Sequence, residues 1–154
     1  MRVVVVAVGK PREAALAAAI TDYETRAARY WPLDVHEVRE EPARGASADL
    51  VREREGERLL AKAPSGGDIV ACDVAGTAMT SDAFAQWLQR IRESARSVAF
   101  LIGGAYGLSE SVRARSKTRL SLAPWTLPHE LARLVLAEQL YRAGTIVRGE
   151  PYHK

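Results

Sequence analysis

Cysteine is almost missing from this chain. Cys72 stands alone among 154 residues, so no intrachain disulfide can form and a reducing compartment suits the protein best. Aromatic residues are sparse, at 6%, which leaves aliphatic side chains to fill the core. Long hydrophobic runs are lacking. Val3 to Val8 is apolar, but Gly9-Lys10-Pro11 ends the run. It is shorter than a signal-peptide core and far shorter than the ~20 residues of a membrane span. It reads as a buried strand in a cytoplasmic protein without a membrane partner. An excess of one charge is lacking too: 22 Lys and Arg face 19 Asp and Glu, a net +3. A chain that held nucleic acid by electrostatics alone would carry more. Any RNA contact must therefore come from basic residues gathered on one surface, or pooled by a dimer. Internal repeats and low-complexity segments are absent.

What is present fits one globular domain, residues 1–154. The hydrophobic fraction is 47% and the charged fraction 27%, and the length is too short for two comfortable domains. Strand and helix patterns alternate along it. Arg2 to Val8 is β-branched, Glu13 to Tyr30 is alanine-rich and helical by propensity, and Leu33 to Val38 alternates as a short strand. Ser47 can cap a charged helix to about Ala63, which Pro64-Ser65-Gly66-Gly67 breaks before a strand from Asp68 to Asp73. Ser81 can cap a helix to about Glu93, with Phe84, Trp87, Leu88 and Ile91 forming a core face. Strands follow at Ser97 to Ile102 and Thr118 to Leu122, with a short helix starting at Ser109 between them. Leu131 to Val147 is the last helix. The alternation predicts an α/β fold: a mostly parallel sheet with helices on both faces.

The last helix carries Leu131, Leu134, Val135, Leu136, Ala137, Leu140, Tyr141, Ile146 and Val147 over nearly its whole circumference. Only Arg133 and the patch Glu138, Gln139, Arg142 interrupt them. A helix apolar all round is buried all round, and a small domain has one core to offer. The second face is expected to meet another copy of the chain, as a homodimer.

Several residues bear chemistry, and each has two readings. Gly103-Gly104-x-x-Gly107 can be a tight strand-to-helix turn capped by Ser109, or a place where backbone approaches a ligand without side chains in the way. A dinucleotide fingerprint would follow the first strand and carry an acidic residue about twenty positions on; Leu120 to Leu127 has none. Leu122 to Leu127, bent at Pro124, is a connecting loop anchored by Trp125, or a loop offering backbone groups to a flat heteroaromatic ligand. His129 is a capping residue or a functional one. Glu138 and Arg142 are four apart in the favourable order, and a helical ion pair of a few tenths of a kcal/mol explains them fully. Arg113, Arg115, Lys117 and Arg119 have no acid between them, so they form a solvated face or one that meets RNA phosphates. Tyr152 and His153 follow a rigid Pro151 where chains ordinarily fray. No spacing suggests a metal site.

In Leu101-Ile102-Gly103-Gly104, Thr126-Leu127-Pro128-His129, Ala137-Glu138 with Leu140-Tyr141-Arg142-Ala143, and Pro151-Tyr152-His153, the chain resembles the RlmH (YbeA) family of SPOUT-class methyltransferases. The likeness runs from Val6 to His153. It implies a SPOUT fold with a C-terminal trefoil knot, a homodimer, and methyl transfer from S-adenosyl-L-methionine to N3 of a pseudouridine in 23S rRNA within the assembled ribosome. It further implies that Gly103 and the six residues Leu122, Ala123, Pro124, Trp125, Thr126 and Leu127 hold the cofactor. Cys72 stands at the matching end of the third strand, where the family often has leucine, and a small apolar thiol serves there for packing. Tyr152 would stack on the uracil ring or donate to its oxygen, and His153 or a bound water would take the N3 proton. Arg113, Arg115, Lys117, Arg119 and His129 would face RNA. A ribosome-binding dimer without catalysis remains the alternative.

Overall fold

The computed structural model describes residues 1–153. Its centre is β1 (Val3–Val8), six β-branched or small residues that are all buried. β1 pairs in parallel with β2 (Leu33–Val38) on one side and β4 (Val98–Ile102) on the other. β3 (Asp68–Ala78) and β5 (Thr118–Ser121) complete a five-stranded, all-parallel sheet in the order β2-β1-β4-β3-β5. The helices are α1 (Ala14–Ala27), α2 (Ala48–Ala61), α3 (Ser81–Glu93), α4 (Glu110–Arg115) and α5 (His129–Val147), with a final 3-10 turn at Pro151–His153.

Alternation along β1 shows how the sheet is clothed. Val3, Val5 and Ala7 enter a core shared with Ala27, Phe84, Leu88, Ile91, Leu136 and Leu140, so α1, α3 and α5 cover that face. Val4, Val6 and Val8 enter a second core with Leu59 and Val112, under α2 and α4. Both faces are covered, as the all-apolar strands required.

Three local expectations are corrected. Thr80, not Ser81, caps α3: its Oγ1 accepts from the Ala83 N–H at 3.1 Å, while Ser81 Oγ donates to Gln139 Oε1 at 2.7 Å. The third strand does not stop at Asp73. Residues 73–76 leave the sheet, and Thr77 and Ala78 return to pair with Leu120 and Ser121. Gly76 permits this, because a Cβ there would lie 2.6 Å from the carbonyl carbon of Arg119.

The third correction concerns α5. Arg133 is buried, with its Nε donating to Glu24 Oε1 at 2.7 Å and Glu37 close by at 3.7 Å. The single chain also buries Leu136, Ala137, Leu140, Ala143 and Gly144. What stays uncovered is a strip around Leu131, Leu134 and Val135, narrower than a second full apolar face. Trp31 fixes the helix against the sheet, donating from Nε1 to the Leu140 carbonyl at 2.9 Å.

Candidate functional site

Neighbouring β3 and β4 send α3 and α4 to opposite faces of the sheet. Connections that diverge in this way open a crevice at the carboxyl ends of the strands. A cavity of about 560 Å³ opens there, bounded by the break in β3 (Cys72, Asp73, Val74), by the end of β4 and the turn after it (Ile102, Gly103, Gly104) and by the loop after β5. That volume suits a small-molecule ligand.

The glycine turn forms one wall. A Cβ on Gly103 would lie 2.7 Å from the Gly107 carbonyl carbon and 2.8 Å from its oxygen, so the turn closes on itself only with glycine there. The Gly107 N–H donates to the Gly104 carbonyl at 3.0 Å. Arg52 of α2 ties the turn down from outside, donating to the Tyr106 carbonyl at 3.2 Å. Ser109 caps α4 through the Val112 N–H at 3.2 Å. The stretch is a tight turn, and it lines the cavity.

The second wall is the loop after β5. Leu122, Ala123, Trp125, Thr126 and Leu127 line the cavity; Pro124 does not, and faces solvent. Ser121 Oγ braces the loop by donating to the Ala123 carbonyl at 2.8 Å. Among the described residues, no chain acceptor takes the N–H of Ala123, Trp125, Thr126 or Leu127, so these amides are free to meet a ligand. Trp125 is not the core anchor its composition suggested. It is 79% exposed. His129 and Ala132, from the first turn of α5, complete the lining.

Cys72 also lines the cavity, and burial pushes its thiol up to about 12, so it stays a neutral, apolar surface at ordinary pH. Asp73 beside it was missed in the sequence; a carboxylate at a strand's carboxyl end was the available signal. Burial drives its pKa upward. The Ala75 N–H at 3.0 Å, Arg113 Nε at 2.9 Å and the charge of Arg119 outweigh that, holding Asp73 below the usual carboxylate range.

The four cations expected to act together are separated. Arg113 belongs to the cavity wall and pairs with Asp73 and Glu110. Lys117 reaches Asp68 at 3.4 Å. Arg115 and Arg119 are exposed. Two of the acids, Asp68 and Asp73, come from β3, distant in sequence and adjacent in the sheet, and their place could not be read from the basic stretch itself.

Tyr152 and His153 do not line this cavity. The 3-10 turn folds back along α5, where Tyr152 packs at a tilt against Tyr141 with centroids 4.5 Å apart and donates to Glu138 Oε1 at 3.1 Å. Arg142 shares that carboxylate and lies 4.9 Å from the Tyr152 ring. Burial first, then Tyr23 and Glu138, push the Tyr152 phenol up. The His153 Nδ1 is buried without a hydrogen-bond partner among the described residues.

A parallel sheet with a glycine turn and an amide-bearing loop at its carboxyl edge is an α/β fold with a crevice suited to a small molecule. A protein-family profile described as "Predicted SPOUT methyltransferase" matches residues 1–153, and the chain belongs to that family. It is 67% identical over 154 residues, covering both chains completely, to the ribosomal RNA large subunit methyltransferase H of Gemmatimonas aurantiaca. It is 47% identical, again over the full length of both, to the protein of that name from Anaeromyxobacter sp.. Among solved structures, TrmJ from Z. mobilis ZM4 shares the fold at a TM-score of 0.51 and 17% identity, over 93% of this chain and 70% of the other. No helix among the described residues is long and apolar enough to cross a membrane.

Proposed function

We propose that this protein methylates ribosomal RNA of the large subunit, transferring the methyl group of S-adenosyl-L-methionine to N3 of a pseudouridine in 23S rRNA within the assembled ribosome. The observation that carries the reading is the cavity itself, an apolar slot edged by unclaimed amides, in a family of methyltransferases. The name of the full-length relatives supplies the substrate class.

The residues present fit the cofactor. Amides of Ala123, Trp125, Thr126 and Leu127 offer donors to an adenine edge, Leu122, Leu127 and Ile102 offer apolar cover, and the closed glycine turn leaves room beside them. When bound, the cofactor supplies a methyl group already activated on a sulfonium. The chain's remaining work is to align the acceptor nitrogen with that carbon, exclude water, and accept the N3 proton. His153 is the candidate base, and Tyr152 the ring that stacks on uracil.

These two residues lie at the far end of α5. Tyr152 folds back only as far as Tyr141 and Glu138, still about 14–18 Å along the helix from His129 at ~1.5 Å per residue, and neither residue lines the cavity of its own chain. In a homodimer with the α5 strip of Leu131, Leu134 and Val135 at the contact, the tail of one subunit would complete the cavity of the other. The family's C-terminal trefoil knot extends to this chain, in keeping with a chain that leaves β4 and crosses β3 to reach β5. Arg115, Lys117, Arg119 and His129 form the RNA-facing rim, and the protein works in the cytoplasm.

Methyl transfer from labelled S-adenosylmethionine to ribosomes lacking the modification tests the reading. Label in 23S rRNA that maps to a pseudouridine supports it. Cofactor binding and ribosome binding without transfer would leave the non-catalytic dimer. Mixed dimers, one subunit lacking Tyr152 and His153 and the other unable to bind cofactor, should retain one working site if tail and cavity come from different chains.

A further inference from the structure

The cavity is chemically lopsided. Among the residues that line it, the carboxylate of Asp73 and the guanidinium of Arg113 form a charged pair. They come from one side, the point where β3 breaks its pairing after Cys72 and the single turn and a half of α4, whereas the loop of Leu122 to Leu127 contributes backbone and apolar groups. A ligand that fits such a slot has a flat apolar end and a charged end bearing both signs.

We propose that the Asp73–Arg113 pair reads the amino-acid end of the methyl donor: Arg113 takes its α-carboxylate and Asp73 its α-ammonium. This rests on the donor assignment above and adds the residues that distinguish the donor from its nucleoside. The Arg113 Nε donates to Asp73 Oδ2 at 2.9 Å and Nη1 to Glu110 Oε1 at 3.1 Å; among the described residues no acceptor takes Nη2. The Asp73 side chain is 8% exposed and that of Arg113 27%, so one charge is set into the wall and the other leans over the opening. A guanidinium with a free N–H edge is suited to a carboxylate.

The pairing also solves an electrostatic problem. Without ligand, the two charges compensate each other in a partly desolvated wall. A zwitterion laid across them gives each charge a second opposite partner, so neither state leaves a buried ion alone. A mere clip between α4 and the sheet would need no charges, because apolar residues in place of a desolvated ion pair are often as stabilising or more so. The reading also moves Arg113 from the RNA-facing set to the cofactor, leaving Arg115, Lys117 and Arg119 for phosphate.

Calorimetry with three probes tests this: S-adenosylmethionine, decarboxylated S-adenosylmethionine, and 5′-methylthioadenosine, which lacks the whole amino-acid end. Wild type should prefer the intact donor over the decarboxylated one by about 10-fold or more, the range of one charge-assisted hydrogen bond. Arg113→Ala should lose that preference while binding 5′-methylthioadenosine within ~2-fold of wild type. Asp73→Asn should weaken both ammonium-bearing probes and spare 5′-methylthioadenosine. Equal losses on all three probes, or no loss on any, would overturn the assignment. If Arg113→Ala does not fold, wild-type discrimination among the probes and the Asp73→Asn profile still decide. Should wild type bind 5′-methylthioadenosine and the donor equally, only this inference falls; should it bind none of the three, the donor assignment falls with it.

Discussion

Replacing Gly103 with alanine adds one methyl group where the backbone leaves no room. The new Cβ would sit 2.7 Å from the Gly107 carbonyl carbon and 2.8 Å from its oxygen, well inside van der Waals contact. The obstacle is main chain, not the end of a flexible side chain, and it is held by the bond between Gly107 and Gly104 and by Arg52. Relief therefore requires opening the turn. Overpacking of this kind costs about 1–3 kcal/mol, and the cost can surface in two ways. If the turn stays shut, the whole amount appears as lost stability and cofactor affinity is kept. If it relaxes open in the free protein, stability suffers less. Binding must then reclose the turn, so that ~1–3 kcal/mol reappears as an affinity weaker by roughly 5- to 150-fold. Denaturant unfolding paired with calorimetry on the same sample measures both portions. An alanine variant as stable as wild type and equally tight for S-adenosylmethionine would refute the steric reasoning, and with it the place given to this turn in the cavity wall.

Other consequences follow from buried charge. Glu24→Ala would leave the Arg133 guanidinium buried with only a distant Glu37 at 3.7 Å. Stability should fall by about 3 kcal/mol or more, read from the denaturant midpoint, whereas an unchanged midpoint would mean Arg133 finds water. For Cys72, burial raises the thiol from its ordinary value near 8.5 to about 12. The neutral form is the one the fold favours, so its stabilising contribution is complete below pH ~8.5 and drains away as pH climbs towards 12. Cys72→Ala should flatten the alkaline limb of a stability-versus-pH curve, and the native thiol should alkylate at pH 8 far more slowly than in denaturant. Identical alkaline limbs, or equal alkylation rates, would contradict the buried neutral thiol.

Local pattern carried much of the architecture. β1 and β2 were plain from β-branched runs and alternation, and the caps at Ser47 and Ser109 from residue type beside an apolar period. These features depend on neighbours within a few residues. What escaped depends on partners far along the chain. The excursion at residues 73–76 exists because Gly76 lets Arg119 of β5 approach, and nothing near Gly76 announces β5. Arg133 looked like an interruption of an apolar helix until Glu24 and Glu37 were found facing it. The cluster from Arg113 to Arg119 looked unopposed because Asp68 and Asp73 lie forty-odd residues earlier, one strand away. At the cavity, the glycine turn and the Leu122–Leu127 loop were legible because backbone exposure leaves a mark in glycine and proline. Asp73 left no comparable mark. The distance of Tyr152 and His153 from their own cavity was foreshadowed by the length of the last helix, but the way Tyr152 folds back onto Tyr141 was not.

The full burial of β1 also sets a timetable. One neighbour, β2, emerges soon after it, but the other, β4, ends 94 residues beyond Val8. At ~5–20 residues per second of synthesis, that gap lasts about 5–19 s. Through the interval an uncharged run of Val3 to Val8 has one hydrogen-bonding edge open, with the β propensity and lack of charge that favour pairing with the wrong chain. The strand that is safest in the finished protein is thus the most exposed during its making, and a nascent chain of this design gains from a chaperone that shields its first strand until β4 arrives.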